Sequence, residues 1–469
     1  MTQADRRGQQ SARRRWAGRV LDGLWLAALA VYIFAGLDAA PFHGDEATLL
    51  FMSRDYHYLV QQRDLERVLY TDAPADPSEQ ELRIINGTVP KMAMGLAWDL
   101  AGLTVRDVND QWVWGFNDPA GEWDEWTWNH TFGHVPSDDL LRAGRASSAV
   151  LLALSVLVLF VLTRQVFPSR AAAWAATAIY VTTPDVLLNG RRAMMEGGML
   201  LGSTLVLLAA LLAIRAHTSA PPRRRALWLA MAALGAAGGF ALANKHNSAL
   251  AVGIAFFAVL IEPLIRRGTG GVRFDLAHVA RLALAGGLAV AVFVALNPAW
   301  WSDPLHMPGR VLDARRTLLE LQVSGFGGFE SAGERVRALI NHAFFSPPQY
   351  YEVPVWQEYI GDQIAAYEAS GLAGRLGGPV WGWVLVVASA AGGLALARRW
   401  RDGRALLVLL WVGLTALGLL IATPLNWQRY YLPLQPAIAV LAGIGVGWLA
   451  AEALSMAREA RLLRRRGSV

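Results

Sequence analysis

The chain contains no cysteine, only two lysines, and just 17% charged residues over its 469 positions. Without cysteine there is no disulfide framework, no thiolate metal site and no cysteine nucleophile, although the compartment stays open. With so little charge, the roughly three soluble domains that this length would otherwise form cannot cover their surfaces with polar groups. The apolar residues, 54% of the total, must therefore face lipid. The scarcity of lysine leaves 41 arginines to carry a formal net charge of +6. They are scattered between hydrophobic segments, a pattern that sets loop topology rather than a nucleic-acid surface, so no nucleic-acid partner is expected.

What is present is a series of apolar runs long enough to cross about 30 Å of hydrocarbon as helices. They fall at 20–37, 143–163, 171–188, 198–215, 226–243, 249–265, 281–297, 379–397, 405–422 and 433–453. This predicts an all-α polytopic membrane protein with about ten transmembrane helices. The run Val89–Leu103 holds Lys91 and Asp99 and would reach only about 22 Å, so it is expected to lie in the interface.

Cytoplasmic loops retain positive charge, which fixes the orientation. With ten spans both termini lie inside, together with the basic stretches Arg164 to Arg170, Arg215 to Arg225, Arg266 to Arg281 and Arg398 to Arg404. The opposite segments include 38–142, which carries an acidic excess, and 298–378, where helices are expected over Gly309 to Leu321 and Gly333 to His342. Treating 89–103 as an eleventh span would put the later arginine clusters outside. The basic stretch before the first span reads as an anchor, because the following run is long and lacks a small-residue cleavage site. The chain thus divides into a cytoplasmic basic N-terminus (1–19), a transmembrane module (20–297) containing the first exoplasmic loop (38–142), a second exoplasmic loop (298–378), C-terminal transmembrane helices (379–453) and a cytoplasmic basic tail (454–469). The localisation expected is a bacterial plasma membrane, with the chemistry on the outer face.

The sharpest constellation is His43-Gly44-Asp45-Glu46-Ala47, directly after the first span. Two adjacent carboxylates at the lipid boundary are costly unless solvated or paired, and such pairs mark functional sites. A plainer reading makes Asp45 the N-cap of a helix over Ala47 to Val60, with Glu46 complementing the helix dipole.

Asp-Glu-Ala just outside the first span resembles the acidic motif of the GT-C glycosyltransferases, in particular the protein O-mannosyltransferase and lipid A aminoarabinose transferase superfamily. Further landmarks follow in the same order: Leu141-Arg142-Ala143-Gly144-Arg145, Pro184 with Arg191, Arg192 and Glu196, Ala243-Asn244-Lys245, Asn297-Pro298, and Arg429-Tyr430-Tyr431-Leu432-Pro433. Where those proteins often show His-Pro-Pro-Leu, this chain has Thr88-Val89-Pro90-Lys91-Met92, followed by an insertion over 104–137. The departure falls on acceptor recognition.

The resemblance implies a GT-C-like fold with two large exoplasmic loops carrying interfacial helices, and 20–297 as the catalytic module. It implies transfer, with inversion, of a sugar from a polyprenyl-phosphate donor to a protein, lipid or glycan acceptor, with membrane lipids as the surroundings. Such chemistry needs a base for the acceptor hydroxyl and cations for the departing phosphate. Asp45 is the expected base, and Glu46 its catalytic companion, orienting the acceptor or tuning its neighbour.

Both lysines, Lys91 and Lys245, fall on the exoplasmic side against the general bias. With Arg191 and Arg429 they are the candidate donor-phosphate clamp, the alternative being snorkelling to lipid or pairing with Glu196 and the acidic loop. Polar neighbours at the same helix mouths, His43, Arg54, Glu196, Asn244, His246 and Tyr430, are expected to support them. His43, Glu46 and His246 carry ligand atoms suited to a divalent ion, and members of the superfamily differ in needing one. No spacing resembles a coordinating loop, so no metal ligand is assigned, and a divalent metal stays open as the one cofactor to consider.

Trp98, Trp112, Trp114, Trp123, Trp126 and Trp128 crowd the first outer loop, where they suit either a membrane-interface belt or stacking on sugar rings. Two other classes compete with the transferase: a transporter or flippase, which would place polar sites near the midplane on broken helices, and a non-catalytic envelope-assembly subunit. Asp45→Asn separates them, since only an enzyme loses transfer while folding normally.

Overall fold

The computed structural model describes residues 3–218, 224–266, 276–345, 348–374 and 377–466. Arg223, Arg267 and Arg273 of the basic clusters lie outside them, as do the side chains of Arg6, Arg7, Arg13, Arg14 and Arg15 and those of the tail beyond residue 460. Among the described residues there is no strand. Among these residues nine helices are long and apolar enough to cross a membrane, and the pair Arg170–Thr182 and Pro184–Arg191, bent by 64°, makes a tenth when taken as one span. The continuous span expected over 171–188 is therefore broken. Proline has no N–H to continue the ladder and forces the residue before it out of the helical region, and Thr183 accordingly lies extended with ψ at 119°.

Helix ends follow the sequence closely. Ser137, Ser169 and Asp402 each accept an N–H of the first turn and start the helices Asp138–Val166, Arg170–Thr182 and Gly403–Ala422. The boundaries drawn at 19 and 453 fall inside continuous helices, Gln3–Ala35 and Gln435–Arg466.

At the centre stands Glu196–His217, the most buried of the spans. Since lipid is as apolar as leucine, burial alone does not join helices in a membrane, and close approach of small residues takes its place. The seam between Pro379–Ala397 and the last helix shows this: a Cβ placed on Gly445 would sit 1.9 Å from the carbonyl oxygen of Ala388. Faces turned away from the bundle stay apolar, with Val380, Val290 and Leu284 well exposed.

Both long segments lie at the same ends of the spans and are mostly helical. The first carries Gly44–Met52, Pro77–Ile85, Thr88–Leu100 and the short Glu125–Thr131. Thr88–Leu100 is the interfacial helix expected there. The single helix expected over Ala47 to Val60 is interrupted at Ser53, whose hydroxyl donates to the Leu50 carbonyl at 2.6 Å and accepts the Trp98 indole N–H at 2.9 Å. Trp98, Trp112 and Trp126 are buried inside this layer rather than arranged as a belt. The second segment contributes Met307–Phe326, Ala332–Ile340 and Gln357–Ala369.

Candidate functional site

Between the two outer segments and the span ends lies an open cavity of about 2440 Å³. Its chemistry starts at the helix Gly44–Met52. The cap is His43, not Asp45: its Nδ1 accepts the N–H of Asp45 at 3.1 Å, while Glu46 Oε2 accepts the N–H of His43 at 3.1 Å. This box directs the two adjacent carboxylates to different surroundings.

Glu46 is fully buried and lies off the cavity wall. Its carboxylate accepts Arg145 Nε at 2.8 Å, Arg145 Nη2 at 2.9 Å and the N–H of Ala193 at 2.8 Å, besides the cap N–H. Burial pushes its pKa up, but Arg145 more than offsets this and holds it below the usual carboxylate range. With every lone pair engaged, Glu46 locks the motif to the second and fourth spans; it does not face an acceptor, as had been expected.

Asp45 does line the cavity, with 28% of its side chain exposed. Arg429 donates to its Oδ2 through Nη1. The same guanidinium places Nε 3.1 Å from Glu352 Oε1, and Glu352 Oε2 lies 2.7 Å from His43 Nε2. A closed ring of charge results, running Asp45, Arg429, Glu352, His43 and back to the Asp45 N–H. Burial raises the Asp45 pKa, the charges of Arg429 and His43 lower it by more, and the group ends below its ordinary value. Glu352 is likewise depressed, while its two carboxylate neighbours raise Arg429.

Lys245, in extended conformation after Arg224–Asn244, also lines the cavity and reaches Glu196 Oε1 at 2.6 Å. Beside it His246 presents two buried ring nitrogens without a protein partner. Arg54 stands on the wall with its guanidinium 4.9 Å above the Phe51 ring, and Tyr430 donates to Gln322 Oε1 at 3.0 Å. Asn244 sits behind the wall, its amide donating to the Phe240 carbonyl at 2.8 Å.

Two of the four expected clamp residues are elsewhere. Lys91 is fully buried on the inner face of Thr88–Leu100, 3.4 Å from Asp55, which Arg83 grips with both Nε and Nη2. Burial pushes the Lys91 pKa down, and the ammonium serves this ion cluster rather than the cavity. Arg191 donates to the carbonyls of Ile33, Tyr32 and Leu372 and to the Tyr367 hydroxyl, stitching the first span to the second outer segment. Both satisfy acceptors that would otherwise be buried and unpaired.

Glu352 and Arg315 are the site residues that the sequence did not disclose. Arg315 comes from Met307–Phe326, lines the cavity and donates to the Ile85 carbonyl. His43, Glu46 and His246, whose atoms suit a divalent ion, are not gathered around one: Glu46 is consumed by Arg145, and among the described residues no three His, Asp or Glu side chains are grouped to hold an ion.

The helices, with nine or ten candidate spans among the described residues, have the GT-C fold of membrane glycosyltransferases. The structure of ArnT from Cupriavidus metallidurans bound to undecaprenyl phosphate matches with a TM-score of 0.52 at 15% identity, over 95% of this chain and 64% of that one. An Archaeoglobus fulgidus oligosaccharyltransferase in complex with Zn and sulfate matches with a TM-score of 0.53 at 14% identity, over 94% and 51%. AglB from the same organism, with an inhibitory peptide and a dolichol-phosphate, gives 0.51 at 13% identity, over 91% and 50%. In sequence, residues 111–296 match the family of dolichyl-phosphate-mannose-protein mannosyltransferases. No curated protein matches the chain. The superfamily resemblance read from the short motifs is thus borne out, the chain is an integral membrane protein, and it spans between half and two thirds of the length of these solved relatives.

Proposed function

We propose that this chain is a membrane glycosyltransferase that moves a sugar from a polyprenyl-phosphate donor to a hydroxyl acceptor on the outer face of the membrane. The observation that carries the proposal is the presence of Asp45, Lys245 and Arg429 on the wall of one cavity, although Asp45 and Arg429 are 384 residues apart in sequence. Base, acceptor and phosphate clamp need a common reaction centre. The orientation follows from the arginine clusters: cavity outside, termini in the cytoplasm of a bacterium.

The chemistry is a single displacement. Asp45 takes the proton of the acceptor hydroxyl, the oxygen attacks the anomeric carbon from the face opposite the phosphate, and the bond from that carbon to the phosphate oxygen breaks with inversion. Lys245 and Arg429 neutralise the phosphate as it departs. An aspartate tied to arginine is a weak base. The donor phosphate competes for Arg429, and drawing the guanidinium toward it returns basicity to Asp45 at the moment a donor is bound. Glu352 keeps a hold on Arg429 during this exchange. Asp45→Asn, tested by donor binding beside single-turnover transfer in nanodiscs, is expected to keep binding and lose transfer; unimpaired transfer would remove the proposal.

A further inference from the structure

The insertion 104–137 forms one wall of the cavity, and the phosphate chemistry makes no use of it. Its most prominent member is Trp114. One face of this indole stacks on Trp356, with an interplanar angle of 2° and centroids 5.8 Å apart, and its Nε1 donates to Thr48 Oγ1 at 3.2 Å. Held at two points, the ring has lost its freedom before any ligand arrives. Yet it remains 43% exposed and lines the cavity.

The position of this indole relative to the chemistry is fixed by Gly44. A Cβ on that residue would lie 2.8 Å from Trp114 and 2.8 Å from Trp356, so the aromatic pair rests directly on the backbone that carries Asp45. Only glycine allows this approach. The same segment also brings three polar residues, Asp110, Gln111 and Glu125, to the cavity wall. Glu125 is committed to the Trp112 indole and the Gly115 N–H, and Gln111 Nε2 donates to Ser78 Oγ at 2.9 Å, which leaves the Asp110 carboxylate and Gln111 Oε1 to offer acceptors to a ligand.

The charge of this wall is one-sided. Of the six acidic residues of 104–137, Asp110 and Glu125 line the cavity, and the segment's single arginine, Arg106, does not. A phosphorylated or carboxylated acceptor would be repelled there, in contrast to the cationic side formed by Lys245, Arg315 and Arg429. A flat, apolar, electron-rich face bordered by hydrogen-bonding groups suits a pyranose ring, whose C–H face carries slight positive charge while its edge bears hydroxyls.

We propose that Trp114, with Asp110 and Gln111, forms an acceptor subsite for an uncharged saccharide, laying one sugar ring on the indole so that a neighbouring hydroxyl reaches Asp45. The proposal rests on the transferase reading and narrows its acceptor to a neutral glycan. The two ends of the cavity then differ in sign, cationic for the donor phosphate and anionic for the acceptor sugar.

The test uses the full chain in nanodiscs and saturation-transfer NMR with a panel of uncharged tri- to pentasaccharides, without any donor. A subset of the panel is expected to bind with the protons of one ring face saturated most strongly. Trp114→Ala is expected to weaken that binding roughly tenfold or more, the equivalent of about 1.4 kcal/mol, and Trp114→Phe, which keeps a ring against Trp356, by less. Absence of binding across the panel overturns the proposal, as does equal binding by Trp114→Ala and Trp114→Phe. Preferential binding of a serine- and threonine-containing peptide or of a phosphorylated glycolipid overturns it too. Saccharide binding together with full transfer by Asp45→Asn would instead overturn the catalytic assignment and leave the subsite standing, so the two failures are distinguishable.

Discussion

Replacing Glu46 by glutamine preserves the shape of the side chain and removes a single charge, and its surroundings determine the result. The carboxylate receives four donors: two from Arg145 at 2.8 and 2.9 Å, the Ala193 N–H at 2.8 Å and the His43 N–H at 3.1 Å. A glutamine amide accepts at one oxygen only, so its NH2 must face two of these donors. Arg145, 3% exposed, is left with one neutral acceptor, the Leu37 carbonyl at 2.8 Å. Breaking a buried ion pair from one side costs about 3–5 kcal/mol, a large part of the roughly 5–15 kcal/mol that holds a typical domain together. Asp45→Asn next door is the control. Asp45 is part-exposed and Arg429 retains Glu352 as partner, so the stability change is about 1 kcal/mol or less. Loss of a general base slows transfer about 10²–10⁴-fold, equivalent to about 2.7–5.4 kcal/mol of barrier. Denaturant unfolding in detergent and single-turnover transfer, normalised to folded protein, read both quantities. Glu46→Gln should unfold early and transfer at a near-normal rate per folded molecule. A Glu46→Gln protein of full stability but without activity would refute the division of roles.

Three more outcomes are expected. The acid limb of kcat/KM is expected below the ordinary aspartate range, because Asp45 is held below its ordinary value and must be ionised to act; Glu352→Gln removes a negative neighbour that raises the Asp45 pKa, so the limb should move to still lower pH, as a pH-rate profile would show. Lys245→Ala should weaken binding of undecaprenyl phosphate and slow transfer together, with partial recovery in Lys245→Arg, since a planar fork does not replace a compact ammonium; loss of donor binding in Asp45→Asn but not in Lys245→Ala would reverse the assignment. Because the chain has no native cysteine, Glu122→Cys should be labelled by an impermeant maleimide in intact cells and Arg399→Cys only after lysis; the opposite pattern would invert the topology.

Much of the architecture was legible in the residues because lipid imposes a length and a composition on every span. The break at Pro184 was not, since a hydropathy run does not register the loss of one N–H in its middle. At the site, Asp45, Lys245 and Arg429 stood out by residue type against their surroundings. Glu352 did not: it lies in Tyr350-Tyr351-Glu352-Val353-Pro354 with no periodic partner, and only the folded chain brings it within 2.7 Å of His43. Lys91 and Arg191 misled for the converse reason. A cation on the outer side invites an anionic ligand, yet a buried acceptor from another helix makes the same demand, and sequence does not say which is met. Glu46 and Asp45, adjacent and chemically alike, were separable only through the cap that turns one inward.

The pairing of Asp45 with Arg429 also has a consequence for biosynthesis. At 5–20 residues per second, roughly 20–80 s separate the emergence of one from the other, because 384 positions lie between them. For that time Asp45 waits at the membrane edge without its guanidinium, joined later by Glu352, so the nascent chain carries two mutually repelling carboxylates and no means of gripping a phosphate with Arg429. The cavity becomes complete only when the segment before the last span reaches the outer face. No partly made chain presents the ring that joins Asp45, Arg429, Glu352 and His43.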